Sequence, residues 1–438
     1  VGATTGNVLT YGAGGTLCWA PGPSASVYAA TPVTLGSVYG LTCTSTAQAN
    51  TSLGFGALQS RNTSGSCNTA VGSLALTANT SGCYNVAIGS NAMLLNTIGS
   101  FNVSIGALSL DCNTTGCFNT AVGYNTLTCN STGNYNTAIG ANVLAVNSIG
   151  VYNVGVGYQT LYCNTSGSCN TAIGHAALDA NITGYNNTAV GSYALTTNQT
   201  GFFNTAVGTD ALCLATGSSN TGLGSFALTK TTGGVANTAT GLCAGYANTS
   251  GVYNAAYGAY AMSANTVGSY NTSLGTCTLF AATTGCCNTA VGFGAMAVLS
   301  PGSFNTALGY NSGNLITTGN YNVVLGSNTG VGIATSNCNV LISDGSGNVA
   351  VLFNSCGSAS FGANAGTFGT AGQVLITQGT SGAPYWGTVT ASAATATPTA
   401  LGTVYGLPCT STSLGNTGIG FGALAAVNTS AACNVAVG

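Results

Sequence analysis

The chain has 438 residues and almost no charge, with two Lys or Arg and four acidic residues in total. An ordinary globular domain carries charge on roughly a quarter of its residues. Nucleic-acid binding needs many cations to neutralise phosphates, so this composition excludes that class of partner. No apolar run of about eighteen residues escapes interruption by Asn, Gly or Thr, and we expect no membrane span.

The first 49 residues are predicted to form an irregular β connector. They contain, in order, Gly-Asn-Val-Leu at 6–9, Trp19 and Gly-Ser-Val-Tyr-Gly-Leu at 36–41. A similar order returns within residues 346–411, where Tyr405 follows Tyr39 at an offset of 366 residues. We therefore predict that residues 346–411 form a second copy of the connector.

Residues 50–345 are dominated by a repeat of 17 residues, each opening on asparagine in phrases such as the Asn-Thr-Ala-Val-Gly of 68–72. One interval, from Asn204 to Asn220, is 16 residues long. So strict a period predicts a parallel β-solenoid of stacked coils, roughly 80 Å long at about 4.8 Å per coil. The asparagines are Asn68, Asn85, Asn102, Asn119, Asn136, Asn153, Asn170, Asn187, Asn204, Asn220, Asn237, Asn254, Asn271, Asn288, Asn305, Asn322 and Asn339.

We number each coil from its opening asparagine, which is position 0. Position +4 is Gly in the regular coils, as expected where the backbone turns with positive φ. Position −1 is often aromatic, position +1 is usually Thr or Val, and position +3 is often Val or Ile. Their spacing of two places these three positions on one face of a strand. Position +8 forms a second apolar column, mostly Leu. We predict that the aromatic, Val/Ile and Leu columns form the dry interior of the solenoid.

Position +2 is small in every coil from Ala70 to Ala239, as in Ser104 and Gly155. Something must pack against this column at backbone distance, either the opposite wall of a narrow coil or a neighbouring chain around a threefold axis; we expect both to contribute. A single slender solenoid exposes its strand edges and is marginally stable. Association into a homotrimer would bury surface along its whole length.

Residues 412–438 return to the repeat, with Asn-Thr-Gly-Ile-Gly at 416–420, and are predicted to begin a second β-solenoid. The predicted fold is therefore all-β: a connector at 1–49, a parallel β-solenoid of 17-residue coils at 50–345, a connector at 346–411 and the start of another solenoid at 412–438.

The Asn-Thr-Ala-Val-Gly phrase, followed three to four residues later by Ala-Leu, resembles the repeats of trimeric autotransporter adhesin heads. It looks still more like related repeats in phage and large-virus tail fibres. The resemblance covers about residues 50–345 and 412–438. It implies a left-handed β-roll, a trimeric assembly and a place on a virion or cell surface. The repeats of adhesin heads are usually shorter, and their coiled-coil stalk is absent here.

Many of the eighteen cysteines recur in restricted positions of the coil. At position −1 Cys alternates with Phe and Tyr, which favours a small buried apolar residue. Other cysteines are candidates for disulfides, either across a turn (Cys112 with Cys117, Cys163 with Cys169) or between neighbouring coils (Cys112 with Cys129). Zinc is not expected, because paired Cys-x-x-Cys clusters are absent from the sequence.

Asparagine at position +11 repeatedly begins an Asn-x-Ser/Thr sequence. Turn chemistry alone explains Asn-Thr-Ser-Gly, and we favour it over glycosylation. A surface with hardly any charge nevertheless needs another source of solubility, so these turns, predicted to face outward, are also candidate glycan acceptors: Asn79, Asn113, Asn130, Asn164, Asn181, Asn198 and Asn248.

Catalytic residues are not expected. His175 is the only histidine, and the sequence places no acid partner beside it. Asp344 lies in Ser-Asp-Gly-Ser-Gly at 343–347, which lacks the several carboxylates of a calcium site and is interpreted as a turn. We predict no metal and no cofactor.

The sequence thus predicts an extracellular structural fibre of a virus or phage, a spacer that also serves host attachment through an unidentified surface receptor, for which a glycan is one candidate. The first alternative is a bacterial surface filament or autotransporter-type adhesin. A lower-ranked alternative is an ice-binding solenoid, suggested by the Thr column at Thr120, Thr137, Thr171, Thr188 and Thr205. It ranks low because Val shares that column, as expected of an inward face.

Overall fold

The computed structural model describes residues 7–11, 17–21, 49–59, 64–361, 373–376, 385–388, 417–419 and 435–437. The chain divides into one unit of Val1–Thr370 with Leu375–Trp386 and another of Ala371–Val374 with Gly387–Gly438. Most of the predicted connector at 1–49, much of that at 346–411 and most of the segment 412–438 lie outside the described residues.

Short strands separated by turns make up nearly all of the regular structure. The early strands are β1 Asn7–Tyr11, β2 Leu17–Pro21, β3 Thr51–Leu53, β4 Thr69–Val71, β5 Val86–Ile88, β6 Val103–Ile105, β7 Thr120–Val122, β8 Thr137–Ala141, β9 Val154–Tyr158, β10 Thr171–His175, β11 Thr188–Val190, β12 Thr205–Val207 and β13 Thr221–Leu223. The later strands are β14 Thr238–Thr240, β15 Ala255–Tyr257, β16 Thr272–Leu274, β17 Thr289–Val291, β18 Thr306–Leu308, β19 Val323–Leu325, β20 Val340–Ser343, β21 Val349–Phe353, β22 Ala359–Phe361, β23 Gln373–Ile376, β24 Tyr385–Thr388, β25 Thr417–Ile419 and β26 Val435–Val437. A single 3-10 turn spans Val331–Ile333 in the described part of the chain.

The strands β3 to β20 form one continuous parallel sheet, each pairing with the strand of the next coil. Like residues stand beside like: Ala70 pairs with Ala87 and Ala121 with Ala138, one period apart. The turns are paired in the same way, as in the Leu76 N–H that donates to Ala92 O. The prediction of an all-β, parallel β-solenoid with a 17-residue spacing is confirmed.

Glycine at position +4 is required by the neighbouring coil. Gly123 has a φ of 129°, and a Cβ on it would collide with the carbonyl oxygen of Gly140. Since a side chain at this position meets backbone, which cannot move aside, every coil needs glycine where its strand ends.

The interior of each coil is thin and is built from positions +2, +7 and +8. Ala121 at +2, Thr126 at +7 and Leu127 at +8 are all fully buried. Gly155 shows what the +2 column touches, because a Cβ there would lie 2.5 Å from Val143 Cγ1 at position +7 of the preceding coil. The small residues at +2 therefore pack against the opposite wall of their own solenoid.

The predicted dry interior is wrong for the aromatic and Val/Ile columns. Phe101 at −1 is 48% exposed and Ile105 at +3 is 38% exposed. Alternation along the strand was predicted correctly, but the inward face is the one that carries positions 0 and +2. Only the +8 column of the three lies inside, because a 17-residue coil that already encloses Leu127 leaves no room for a ring.

The asparagines at position 0 are buried and form a continuous ladder of hydrogen bonds. Asn136 Nδ2 donates to Asn119 Oδ1 (3.2 Å) and to Gly150 O (2.8 Å). Its Oδ1 accepts from the backbone N–H and the Nδ2 of Asn153, at 3.0 and 3.2 Å. The amide thus uses all four of its bonds, which permits a buried polar column inside an apolar core.

A second asparagine ladder runs at position +11. Asn130 Nδ2 donates to Asn113 Oδ1 (2.8 Å) and to Gly133 O at position +14 of its own coil (3.0 Å). The first bond joins neighbouring coils, and the second closes the turn. The glycine carbonyl at +14 therefore accepts from both asparagines of its coil, as Gly133 does from Asn119 at 2.8 Å.

The parallel run ends in two antiparallel pairings. β20 pairs with β21, and β21 with β22. The connecting turns use the same device: Asp344 Oδ1 accepts from the N–H groups of Ser346 and Asn348, and Asn354 Oδ1 accepts from those of Cys356 and Ser358. In the other unit β25 and β26 are parallel, with Thr417 opposite Val435.

Candidate interaction surface

Positions −1, +1 and +3 of the coils form an outer sheet face. Its residues lie on strands whose other side carries Asn at 0 and Ala at +2, so their side chains point away from the core. Tyr152 at −1 is 56% exposed and Ile139 at +3 is 41% exposed. The Thr or Val at +1 between them is half-buried in most coils. The face thus offers a long apolar strip to its surroundings.

Aromatic rings stack along one edge of the outer sheet face. The series Tyr84, Phe101, Phe118, Tyr135 and Tyr152 has ring centroids 4.9 to 5.0 Å apart and nearly parallel planes. The rings cover one another's faces and leave their edges exposed. The offset or parallel stacking of the rings leaves mainly apolar ring edges on this part of the surface.

Formal charge is absent from the outer sheet face of the coils that the structure describes. Asp111 and Asp179 lie at position +9, Asp210 at +6, His175 at +5 and Lys230 at +10. All five therefore lie outside positions −1 to +3, although His175 is the last residue of β10. The strip is therefore both apolar and uncharged between positions −1 and +3.

His175, Asp179 and Cys163 form a cluster of ionisable side chains on two adjacent described coils. The His175 ring stacks on Tyr158 and meets Tyr193 edge-on, at centroid distances of 5.6 and 4.9 Å. Burial raises the pKa of the Asp179 carboxyl, and nearby His175 partly lowers it again. The sequence analysis did not identify Asp179 as an acid near His175, because the two residues are brought together only when their coil folds. Among the described residues, no three His, Cys, Asp or Glu side chains are placed to hold a metal ion.

The predicted disulfides are not formed: the thiols of Cys112, Cys117, Cys129, Cys163 and Cys169 are all free. Cys112 lies at position +10 and Cys117 at −2, which are separate columns. The Cys117 thiol instead donates to Thr115 O and accepts from the Ser100 N–H. Cys112 and Cys129 do occupy the same column one coil apart. Burial, then the charges of Asp111 and Cys129, raises the pKa of the Cys112 thiol.

The prediction that the +11 asparagines face outward is wrong. All seven candidate acceptors are at most 1% exposed, and each Nδ2 that would carry a glycan donates to the +14 glycine carbonyl or to the preceding amide, as in Asn79 and Asn164. An attached oligosaccharide would break the ladder and has no exit from the core. The affected residues are Asn79, Asn113, Asn130, Asn164, Asn181, Asn198 and Asn248.

A ladder of hydroxyl groups runs beside the +11 asparagines at the same turn. Thr80 and Thr97, at position +12, donate their hydroxyls to the carbonyl of the same position in the next coil, at 3.0 and 2.9 Å. The Asn-Thr pair thus supplies an inner and an outer ladder at one turn. The turn interpretation of Asp344 is also consistent with its contacts, since both carboxylate oxygens accept hydrogen bonds within the β20–β21 turn.

A membrane-spanning helix is not found in the part of the chain that the structure describes. Comparison with known proteins gives no match to this chain among protein-family models, curated proteins or solved structures.

Proposed function

We propose that this chain is a structural spacer of an extracellular viral or phage fibre that serves host attachment and performs no reaction. In this proposal three copies pack through their outer sheet faces, and each coil is left-handed, as the resemblance to fibre repeats implies. The observation that carries the proposal is an uncharged apolar face that continues over successive coils.

The size of this face supports its use as an interface. Sixteen coil intervals at about 4.8 Å, multiplied by a strand width of about 13 Å, give roughly 1,000 Å² per chain. Stable interfaces bury about 800 Å² per partner. The exposed ring edges would lie within such an interface, where aromatic residues are enriched.

Association is tested with a charge placed in the centre of the face. Tyr135 is 47% exposed at position −1, and Leu95, which is 45% exposed at +10 and lies outside the paired strands, is a control at a position where another coil carries Lys230. We expect Tyr135→Lys to reduce the trimer mass measured by light scattering, because burying an unpaired ammonium is unfavourable. Leu95→Lys should leave it intact. A monomeric wild type, or equal effects of the two variants, would contradict the trimer.

Electron cryomicroscopy of assembled fibres tests the remaining geometry. Three chains per cross-section, a coil rise of about 4.8 Å and left-handed winding are expected. A cross-section with one chain would remove the fibre proposal in this form.

One observation favours an ice-binding function as a second candidate. The Thr column at +1, including Thr171, Thr188 and Thr205, lies on the outer sheet face rather than inside. The reason for ranking this function low was therefore wrong. A regular row of hydroxyls and methyl groups on a sheet is compatible with ordered water. Thermal hysteresis of the purified chain, abolished by Thr188→Lys, is the expected result if this candidate is correct; zero hysteresis rejects it.

A further inference from the structure

The asparagine ladder at position +11 is interrupted once within the stack and then stops. Asn198 is followed by Ala215 and Thr231, the ladder resumes at Asn248 and Asn265, and apolar residues occupy the column afterwards. These column members are buried throughout. The full column is Asn79, Asn96, Asn113, Asn130, Asn147, Asn164, Asn181, Asn198, Ala215, Thr231, Asn248, Asn265, Ala282, Leu299, Ile316 and Ile333.

The interruption coincides with the single shortened coil, residues 204–219. In regular coils the +11 amide closes its turn by donating to the glycine carbonyl three residues later. In the short coil Ala215 stands only two residues before the equivalent Gly217, which accepts from Asn204 at 2.9 Å. Removing one turn residue therefore removes the geometry that an asparagine at 215 would need, and alanine replaces it.

The replacement leaves three polar groups short of partners around the Ala215 methyl. Asn198 Oδ1 is buried and has no hydrogen-bond partner among the described residues, and the same holds for Thr231 Oγ1. The Gly217 carbonyl accepts from Asn204, but not from a +11 amide as its equivalents do. In a regular coil the +11 amide would contact all three groups. Its Nδ2 would donate to the Oδ1 of the preceding coil and to the glycine carbonyl of its own coil, and its Oδ1 would accept from the +11 side chain of the next coil.

We propose that a single buried water molecule is bound beside Ala215, in the place that an asparagine amide occupies in the regular coils. The water donates to Asn198 Oδ1 and to Gly217 O, the two bonds made by Nδ2 elsewhere. It accepts from the Thr231 hydroxyl, as Oδ1 elsewhere accepts from the next coil. Three partners are typical of a buried water.

The space agrees with this assignment. Around Gly99 the atoms Asn96 Oδ1 and Asn113 Nδ2 both crowd the position of a Cβ, whereas around Gly217 the nearest side-chain atom is Asn220 Nδ2 at 3.4 Å. Alanine in place of asparagine removes three heavy atoms from this region, and a water restores one.

The second end of the ladder provides an internal comparison. Asn265 Oδ1 also has no partner among the described residues and is followed by Ala282. The next column member there is Leu299, which offers no hydroxyl and reaches towards Gly302. A water beside Ala282 would have at most two partners, so its occupancy should be lower than at Ala215.

The direct test is a density map at about 1.5 Å of the full chain, with and without Thr231→Val. We expect in the wild type one peak within 3.2 Å of Asn198 Oδ1, Gly217 O and Thr231 Oγ1. Thr231→Val keeps the shape of the side chain but removes the third partner, so the peak should weaken or vanish. Thr231→Ser, which keeps the hydroxyl, should retain it.

Two results would overturn the proposal. The first is a wild-type map with no peak at this point. The second is a peak of equal strength in the wild type and Thr231→Val, which would mean that the Thr231 hydroxyl does not hold the water. If a variant fails to fold, the wild-type map alone still decides whether the water is bound.

Discussion

Removing one amide from the position 0 ladder should strongly destabilise the solenoid. In Asn136→Ala four hydrogen bonds are lost, two donated and two accepted. Asn119 Oδ1 and Gly150 O keep other donors, but the Asn153 N–H is left buried without an acceptor. At about 1 kcal/mol for each bond and about 1 kcal/mol or more for the orphaned donor, the free energy of unfolding falls by about 5 kcal/mol.

Hydrogen exchange is the suitable assay, because long repeat arrays can unfold in more than one step. The Asn153 amide should lose at least about two orders of magnitude of protection in Asn136→Ala. Asn186→Ala is the matched control: Asn186 is exposed, with a φ of 54°, so that change should cost only about 1 kcal/mol. If the two variants behave alike, the ladder does not contribute the stability assigned to it.

Asn136→Asp tests the polarity of the same ladder. One carboxylate oxygen can accept from Asn153, but the other faces the acceptors Asn119 Oδ1 and Gly150 O. Burial and these contacts should raise the pKa of the new carboxyl in the folded chain above its unfolded value of about 3.9. Stability should therefore be greatest below about pH 4 and fall as the pH rises. A pH-independent variant would refute the assigned directions of donation.

Three further outcomes are expected. Gly155→Ala should lower the free energy of unfolding, measured by denaturant titration, by about 1 to 3 kcal/mol through overpacking against Val143. Adding Val143→Ala to the same chain should restore most of the lost free energy. If the second substitution does not restore it, the packing assigned to position +2 is wrong. Burial raises the pKa of the Asp179 carboxyl, so the stability of the folded chain falls as pH rises through the folded pKa and the carboxyl becomes charged. Asp179→Asn should therefore raise the melting temperature at pH 7 but not at pH 3. A lower melting temperature of this variant at pH 7 would argue against burial as the cause. Hydrogen bonds from the Asn348 side chain and backbone lower the pKa of Asp344. The Asn348 amide in the β20–β21 turn should therefore be protected from hydrogen exchange above the unfolded pKa of Asp344 and lose that protection as pH falls through the folded pKa. An exchange rate unchanged by this protonation would refute the coupling.

The period was sufficient to predict the coil, the strand at +1 to +3 and the inward Leu column. It could not decide which face of the strand was inside, because both faces have regular columns. Ring size favoured burying Tyr135, yet the volume of the coil decides otherwise. The unvarying asparagine at 0 was the missed signal: an amide that must match its neighbour above and below tolerates less variation than an exposed residue.

The small column at +7 was also missed. Its members vary in concert with +2: Ser104 faces Ser109, Ser273 faces Thr278, and Gly155 makes room for Val143. These pairs are five residues apart or lie in adjacent coils, so they are visible only after the coil has been folded.

The +11 column has a consequence for how the gene can change. Recombination between repeats can add or delete a coil anywhere in the 68–203 stretch, because each new coil meets an asparagine on both sides. The same insertion next to Leu299 or Ile316 would strand an amide against an aliphatic neighbour. Length variants should therefore arise mainly in the amino-terminal half of the solenoid, while the coils near its carboxyl-terminal end stay constant in number.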